Sequence, residues 1–208
     1  MRLYTYRERP DGDDRIGVGF GSDSLYALED FGLMFADMND LICNITPEQM
    51  DKLRKAPEGA KPIALDGLVR RAPIPYPMQD VVCLGINYDA HHEEAGRFNQ
   101  EAFGDRPKAI YFSKRVSEAN CDGGKIPRYE GLVNSLDYEV ELGVILGKDA
   151  FQVSAEHAQD YIFGSTIIND VSARDLQTGH KQWYFGKSLD GFTPMGPCIV
   201  TADEIAYP

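Results

Sequence analysis

The stretch LDYEVELGVILG, residues 136–147, decides the fold that the sequence predicts, because its branched and aromatic residues are typical of a β-strand. Turn-forming residues bound it on both sides. Strand side chains alternate between the two faces of a sheet. One face therefore carries three acidic side chains, Asp137, Glu139 and Glu141. We expect the other face to be a core face, and its side chains are Tyr138, Val140 and Leu142.

Three carboxylates on one strand face repel one another unless solvent or a cation separates them. A solvent-exposed acidic face is the simpler interpretation of such a pattern. However, Gly143, Val144 and Ile145 extend the apolar character to both faces, so we expect the strand to run into a core. Carboxylates at the entrance of a buried strand are better explained as ligands of a hard cation, which prefers oxygen atoms.

The composition is that of an acidic chain that can fold around a core. The 208 residues suffice for one domain with a small appendage, and 43% of them are hydrophobic. A net charge of −12 argues against nucleic acid or an anionic membrane as partner, since both require basic surface. No apolar run approaches membrane-spanning length. The four cysteines are widely spaced, which favours a reducing, cytoplasmic location over a disulfide framework or a zinc site.

Two domains are expected, a small N-terminal domain with its connector at residues 1–75 and a larger one at residues 76–208. The connector is expected to be stiff, because four prolines lie between residues 61 and 77. This concentration of prolines supports a boundary near residue 75.

Within the N-terminal domain, residues 2–6 and 15–20 alternate like two strands joined by a turn. Residues 31–42 have helical spacing. The sequence TPEQ at residues 46–49 has the pattern of a capping box with a first-turn proline, which predicts a helix start.

Candidate catalytic side chains follow a predicted buried strand at residues 81–85. His91 and Glu94 are three residues apart in a predicted short helix, so they are neighbours on one face. A carboxylate beside an imidazole fixes its tautomer and raises its basicity, which suits a general base. An exposed polar helix is the alternative interpretation.

Two more candidates lie later in the chain. Asp170 follows a predicted strand, where it either reaches a ligand or serves only as a turn residue. Ser172 and Asp175 have capping-box spacing, which gives Asp175 a structural role. Lys187 lies between aromatic residues and a glycine turn, a pattern that an ordinary lysine with its head in solvent also gives.

Together these segments resemble the fumarylacetoacetate hydrolase (FAH) superfamily over residues 80–205. The signatures, in order, are CLGINY with His91 and Glu94, then LDYEVEL, NDVSARD, GKS and PMGP. The resemblance implies a β-rich α+β fold, with an FAH-type mixed β-sandwich or β-roll catalytic domain behind a small N-terminal α+β domain. It also implies a homodimer. Relatives continue with further strands and a closing loop, so we expect the chain to lack the family's C-terminal segment. Because unpaired strand edges would then be exposed, we expect the chain to self-associate or to be marginally stable, with weak metal binding and little turnover.

The resemblance also implies a site. Three carboxylates would bind Mg²⁺ or Mn²⁺, with Ca²⁺ as an alternative, and they are Glu139, Glu141 and Asp170. The residues that match catalytic positions are His91, Glu94 and Lys187. The residues that match substrate-binding positions are Asn87, Tyr88 and Lys187.

The implied function is a metal-dependent hydrolase or lyase that cleaves C–C bonds in 2-oxo acids such as acylpyruvates. A divalent ion would stabilise the enolate charge that develops, while His91 oriented by Glu94 would activate water. An oxaloacetate decarboxylase or a tautomerase would use the same site. A β-domain with a structural cation and a non-catalytic metal-binding remnant are the alternatives from other classes.

Overall fold

The computed structural model describes residues 1–85 and 109–206, a part of the chain in which β-strands dominate. The strands are β1 (Arg2–Arg7), β2 (Arg15–Gly19), β3 (Ser24–Ala27), β4 (Ile63–Ala64), β5 (Val69–Arg70), β6 (Val81–Gly85), β7 (Ile110–Lys114), β8 (Leu136–Asp137), β9 (Val140–Leu146), β10 (Ile162–Asn169), β11 (Ser172–Ala173) and β12 (Met195–Thr201). Eight of them form one sheet in the order β4-β3-β2-β1-β12-β10-β9, with β5 beside β1. Two smaller antiparallel pairs, β6–β7 and β8–β11, complete the described strands.

The described helices are short. The α-helices are α1 (Met38–Asn44), α2 (Pro47–Leu53), α3 (Arg174–Gly179) and α4 (Tyr184–Lys187). The 3-10 turns are Leu28–Phe31, Ala155–Tyr161 and Ala202–Glu204. Within the described ranges, none of the helices has the length and apolar character that crossing a membrane requires. The β-rich α+β class predicted from the sequence is confirmed.

Strand β1 joins the N-terminal region to the rest of the molecule. It pairs with β2 on one side, as the alternating pattern predicted, and with β12 on the other, where Leu3 lies opposite Ile199. Both of these side chains are fully buried in the same core. The two predicted domains therefore share one sheet, while their boundary near residue 75 stays a prediction.

Local signals define the helices of the N-terminal region. The capping box is confirmed, since the Thr46 hydroxyl accepts a hydrogen bond from the Gln49 amide and the Gln49 side chain accepts one from the Thr46 amide. The single helix predicted over residues 31–42 is wrong. A 3-10 turn ends there at Gly32, which has a left-handed φ of 69°, and α1 begins only after Asp37 caps it.

The strand predicted over residues 136–147 is interrupted, and its expected core face is wrong. Strand β8 pairs with β11, and β9 pairs with β10. Tyr138 and Glu139 lie between the two strands and belong to neither. Tyr138, Val140 and Leu142 are 72%, 68% and 54% exposed. The opposite face of β9 packs inward instead: Ile145 packs against the main core, and Ile168 fills the space above Gly143.

Candidate active site

Glu139 and Asp170 lie close together because each occupies a short interruption between two consecutive strands, and the two interruptions are adjacent in the fold. Glu139 lies between β8 and β9, and Asp170 lies between β10 and β11, while the flanking strands pair with each other. The Asp170 amide donates to the Glu139 carbonyl at 2.8 Å, and the Glu139 amide donates to the Asn169 side chain at 3.1 Å. The antiparallel pairing thus fixes both carboxylates at one place.

The Lys187 ammonium lies between these two carboxylates. Its Nζ is 2.7 Å from Glu139 Oε2 and 2.7 Å from Asp170 Oδ2, and the residue is only 2% exposed. Helix α4 places it there by packing closely on α3, since a Cβ at Gly186 would lie 2.5 Å from the Gln177 amide nitrogen. The Lys187 ammonium also lies over the Phe112 ring, 5.3 Å from its centroid. The alternative of a lysine with its head in solvent does not describe this side chain.

A second lysine, which the sequence did not single out, pairs with the same aspartate. Lys114 ends β7, is fully buried, and places Nζ 2.8 Å from Asp170 Oδ1. It also donates to the carbonyl oxygens of Val171, at 3.2 Å, and of Lys187. Burial lowers the pKa of Lys114, while the Asp170 carboxylate opposes that change. The local sequence signal that could have identified Lys114 as a site residue was its position, as a cationic residue, at the end of the largely apolar strand β7.

Arg174, at the start of α3, was also missed from the sequence. Its Nε and Nη2 donate to Asp137 Oδ2 at 3.0 and 2.8 Å, and its Nη1 lies 2.6 Å from Glu139 Oε1. Hydrogen bonding from Arg174 lowers the pKa of the Asp137 carboxyl. The acidic strand face is therefore neither bare nor fully solvated, because a guanidinium bridges two of its carboxylates.

The capping box predicted for Ser172 and Asp175 is wrong. Helix α3 begins after Ala173 without a side-chain cap. The Ser172 hydroxyl donates to the Asp170 carbonyl at 3.0 Å and reaches Glu139 Oε1 at 3.4 Å. Asp175 instead accepts hydrogen bonds from the Asn134 amide and side chain, at 3.0 and 3.1 Å. Ser172 thus helps to hold Glu139 and Asp170 in place.

The remaining predicted site residues are Glu141, which the structure describes, and four residues that lie outside the described ranges. Glu141 is half-buried on β9, opposite Ile168 of β10. In residues 1–85 and 109–206, no three His, Cys, Asp or Glu side chains lie close enough together to hold a metal ion. The full ligand set of Glu139, Glu141 and Asp170 therefore stays a prediction. Four predicted residues lie outside the described residues, namely Asn87, Tyr88, His91 and Glu94.

The chemistry of the described side chains fits a hard divalent cation. Glu139 and Asp170 each direct an oxygen at the same point, since both oxygens are 2.7 Å from one ammonium nitrogen. Asp170 Oδ1 is buried and makes no hydrogen bond, only the ion pair with Lys114. Burial, together with the Asp170 carboxylate, raises the pKa of nearby Cys83 to about 12. The converging carboxylate oxygen atoms are the kind of ligand that Mg²⁺, Mn²⁺ and Ca²⁺ prefer.

Comparison with known protein families identifies the enzyme family to which this chain belongs. Residues 80–208 match the family described as fumarylacetoacetate (FAA) hydrolase, C-terminal, and the chain belongs to that family. The resemblance stated from the sequence is confirmed.

Curated relatives support the same family. Over 137 residues the chain is 41% identical to the oxaloacetate tautomerase YisK of Bacillus subtilis, a match that covers 66% of this chain and 44% of that protein. It is 33% identical over 215 residues to the uncharacterized protein SERP0556 of Staphylococcus epidermidis, covering 94% of this chain and 69% of that protein. The match thus spans less than half the length of the B. subtilis relative.

Solved structures share the fold. The fumarylacetoacetate hydrolase of psychrophilic Exiguobacterium antarcticum matches with a TM-score of 0.72 and 30% identity, over 99% of this chain and 69% of that one. The maleylpyruvate hydrolase of Sphingobium sp. SYK-6, in complex with manganese(II) and pyruvate, matches with a TM-score of 0.72 and 26% identity, over 100% and 70%. The predicted FAH-type fold is confirmed.

Proposed function

We propose that this chain provides the site of a divalent-cation-dependent hydrolase or lyase that cleaves C–C bonds in 2-oxo acids of the acylpyruvate type. The observation that carries the proposal is the convergence of Glu139 and Asp170 oxygens on one cationic point. Membership of the FAA hydrolase family supports it. So does the maleylpyruvate hydrolase, whose structure contains manganese(II) and pyruvate.

Glu139, Glu141 and Asp170 are the residues that would hold Mg²⁺ or Mn²⁺, with Ca²⁺ as the alternative. The bound ion would supply positive charge that stabilises the negative oxygen developing on a 2-oxo acid. Three anionic ligands suit such an ion, because hard cations bind carboxylate oxygens.

The protein's own cations would hold this arrangement in place. Lys187 is anchored by two carboxylates, so its ammonium fixes positive charge at the point where their oxygens converge. Arg174 holds Glu139 from the other side and limits the rotation of its carboxylate. Fixed charges of this kind favour a transition state in which negative charge develops on the substrate.

Hydrolysis also needs an activated water, and we assign that step to His91 oriented by Glu94. The imidazole would take a proton from water as the oxygen attacks the distal carbonyl of an acylpyruvate. The breaking C–C bond then leaves its electron pair on the pyruvate fragment, which takes up a proton to give pyruvate. Asn87 and Tyr88 would contact the substrate.

Oxaloacetate tautomerisation is the second candidate, favoured by the 41% identity to a B. subtilis protein of that name. A tautomerase moves a proton between C3 and the keto oxygen and uses no water. Oxaloacetate decarboxylation, the third use of such a site, likewise needs no water. The three reactions share the stabilisation of an enolate and differ in their products.

The test uses the purified 208-residue chain with Mn²⁺. We expect Mn²⁺ to bind weakly, and we expect whatever turnover of an acylpyruvate is measured to require Mn²⁺ and to stop when a chelator is added. Glu139→Gln should weaken Mn²⁺ binding measured by calorimetry, because a neutral amide replaces an anionic ligand. Glu156→Gln, at an exposed carboxylate, is the matched control. Unchanged Mn²⁺ affinity in Glu139→Gln would overturn the site.

Product analysis separates the candidates. Release of pyruvate and a carboxylic acid identifies the hydrolase, a change in the keto–enol ratio of oxaloacetate identifies the tautomerase, and release of CO₂ identifies the decarboxylase. His91→Ala should reduce hydrolysis by about 10²–10⁴-fold and affect the reactions without water less. Equal losses in all three would assign His91 to binding or structure. Size-exclusion chromatography of the same preparation tests the predicted homodimer.

A further inference from the structure

Lys114 is the buried cation that the proposed chemistry leaves without a role. It ends β7, opposite Val81 of β6, and none of its surface reaches solvent. An ammonium group in such a place is costly unless every proton finds an acceptor. The structure provides three oxygen atoms around it: two backbone carbonyls accept its hydrogen bonds, and a carboxylate forms an ion pair with it.

These three oxygen atoms belong to two separate segments, and the ammonium group fixes the position of one segment relative to the other. Asp170 Oδ1 and the Val171 carbonyl lie in the corner between β10 and β11. The Lys187 carbonyl lies at the end of α4. One buried nitrogen therefore joins the corner that carries Asp170 to the helix that carries Lys187.

The Asp170 carboxylate is divided between the two lysines. Lys114 contacts Oδ1 at 2.8 Å, and Lys187 contacts Oδ2 at 2.7 Å. With one oxygen fixed from behind, the carboxylate plane cannot turn freely, and the other oxygen stays directed at the point that Glu139 also faces. The hydrogen bond from Lys114 to the Lys187 carbonyl also fixes the position of the Lys187 backbone relative to Lys114.

We propose that Lys114 is a positioning residue of the cation site, which holds Asp170 and Lys187 in the geometry that the cation and the substrate require. This inference rests on the proposed function, because it concerns the same site. Lys114 acts through Asp170 and Lys187 and touches neither the cation nor the substrate. Supporting groups behind a metal ligand commonly change metal affinity by about 10–100-fold.

The test is Mn²⁺ binding by the full chain with Lys114→Met, which keeps an unbranched side chain one atom shorter and removes its charge. We expect Mn²⁺ affinity to fall on the order of 10–100-fold. We also expect the electron paramagnetic resonance spectrum of the remaining bound Mn²⁺ to change, because Asp170 is no longer held. Two controls are matched to it: Lys148→Met removes an exposed lysine, and Ile199→Val disturbs the buried core away from the site. Both should bind Mn²⁺ like the parent chain.

Lys114→Arg keeps the proposal testable if the methionine variant does not fold. It retains the charge that Asp170 needs but cannot place a nitrogen at the same point, so we expect affinity between those of the parent and the methionine variant. Parental affinity and an unchanged Mn²⁺ spectrum in whichever variants fold would overturn the proposal. If Glu139→Gln still loses Mn²⁺ in that case, the proposed function stands and only the role of Lys114 fails.

Discussion

At the scale of single residues, the site depends on cations that neutralise converging carboxylates. Lys187→Met should leave Glu139 and Asp170 facing each other without their shared ammonium. We expect a loss of roughly 3–5 kcal/mol in unfolding free energy, the usual cost of breaking a buried ion pair, measured by denaturant titration. Added Mn²⁺ should recover part of the loss, because a divalent ion can take the same place between the oxygens.

The control for that variant is Lys181→Met, at an exposed lysine, which should change stability little. A Lys187→Met variant as stable as the parent without any metal would show that the two carboxylates do not need the ammonium.

The ion pair between Asp137 and Arg174 should make a contribution to stability that depends on pH. Because the folded pKa of Asp137 is lowered, its ion pair with Arg174 contributes stability above the ordinary value of 3.8 and loses it as the pH falls through the folded pKa. Asp137→Asn should therefore destabilise the chain near neutral pH, by no more than about 1 kcal/mol because the pair is partly exposed. The difference from the parent should shrink below pH 3.8. A difference that is constant with pH would contradict the assignment.

At the scale of secondary-structure elements, close strand packing requires glycine at specific places. A Cβ at Gly164 would lie 2.4 Å from the Val200 carbonyl oxygen, where β10 meets β12. Backbone cannot give way as a flexible side chain does, so Gly164→Ala should cost about 1–3 kcal/mol of unfolding free energy. Gly21→Ala, where a Cβ meets nothing within 4 Å, is the control. Equal stability of the two variants would mean that β10 and β12 are not packed as described.

The sequence predicted those elements whose signals are local. The Thr46 capping box needs only four residues, and the strand before Asp170 needs only its branched residues and the turn that follows it. The buried face of β9 could not be predicted, because the more apolar face, with Val140 and Leu142, is the exposed one, and the packing of Ile145 and Ile168 selects the other face. Lys114 could not be predicted as a site residue, since its oxygen partners lie more than 50 residues away in the chain.

At the scale of the whole molecule, the pairing of β1 with β12 predicts that the N-terminal region and the site unfold together. Trp183, the single tryptophan of the chain, packs against Phe112 beside the site, so its fluorescence reports on that region. Leu3→Ala, in the core under β1, should destabilise the chain by about 2–5 kcal/mol and shift the Trp183 transition equally with the circular dichroism transition.

Met34→Ala, at an exposed side chain, should shift neither transition. A Trp183 transition that Leu3→Ala leaves in place would show that the N-terminal region unfolds independently of the site, and it would favour the domain boundary that we predicted near residue 75.

The sharing of Asp170 by two lysines also bears on how this site can change during evolution. A substitution that removes the carboxylate leaves the buried Lys114 ammonium without a counter-ion and leaves Lys187 with Glu139 alone. Neither lysine can be replaced first at low cost, because the aspartate then keeps a bare oxygen in a buried place. Descendants that abandon the cation should therefore have altered positions 114, 170 and 187 together, and lineages that retain any one of the three should retain the other two.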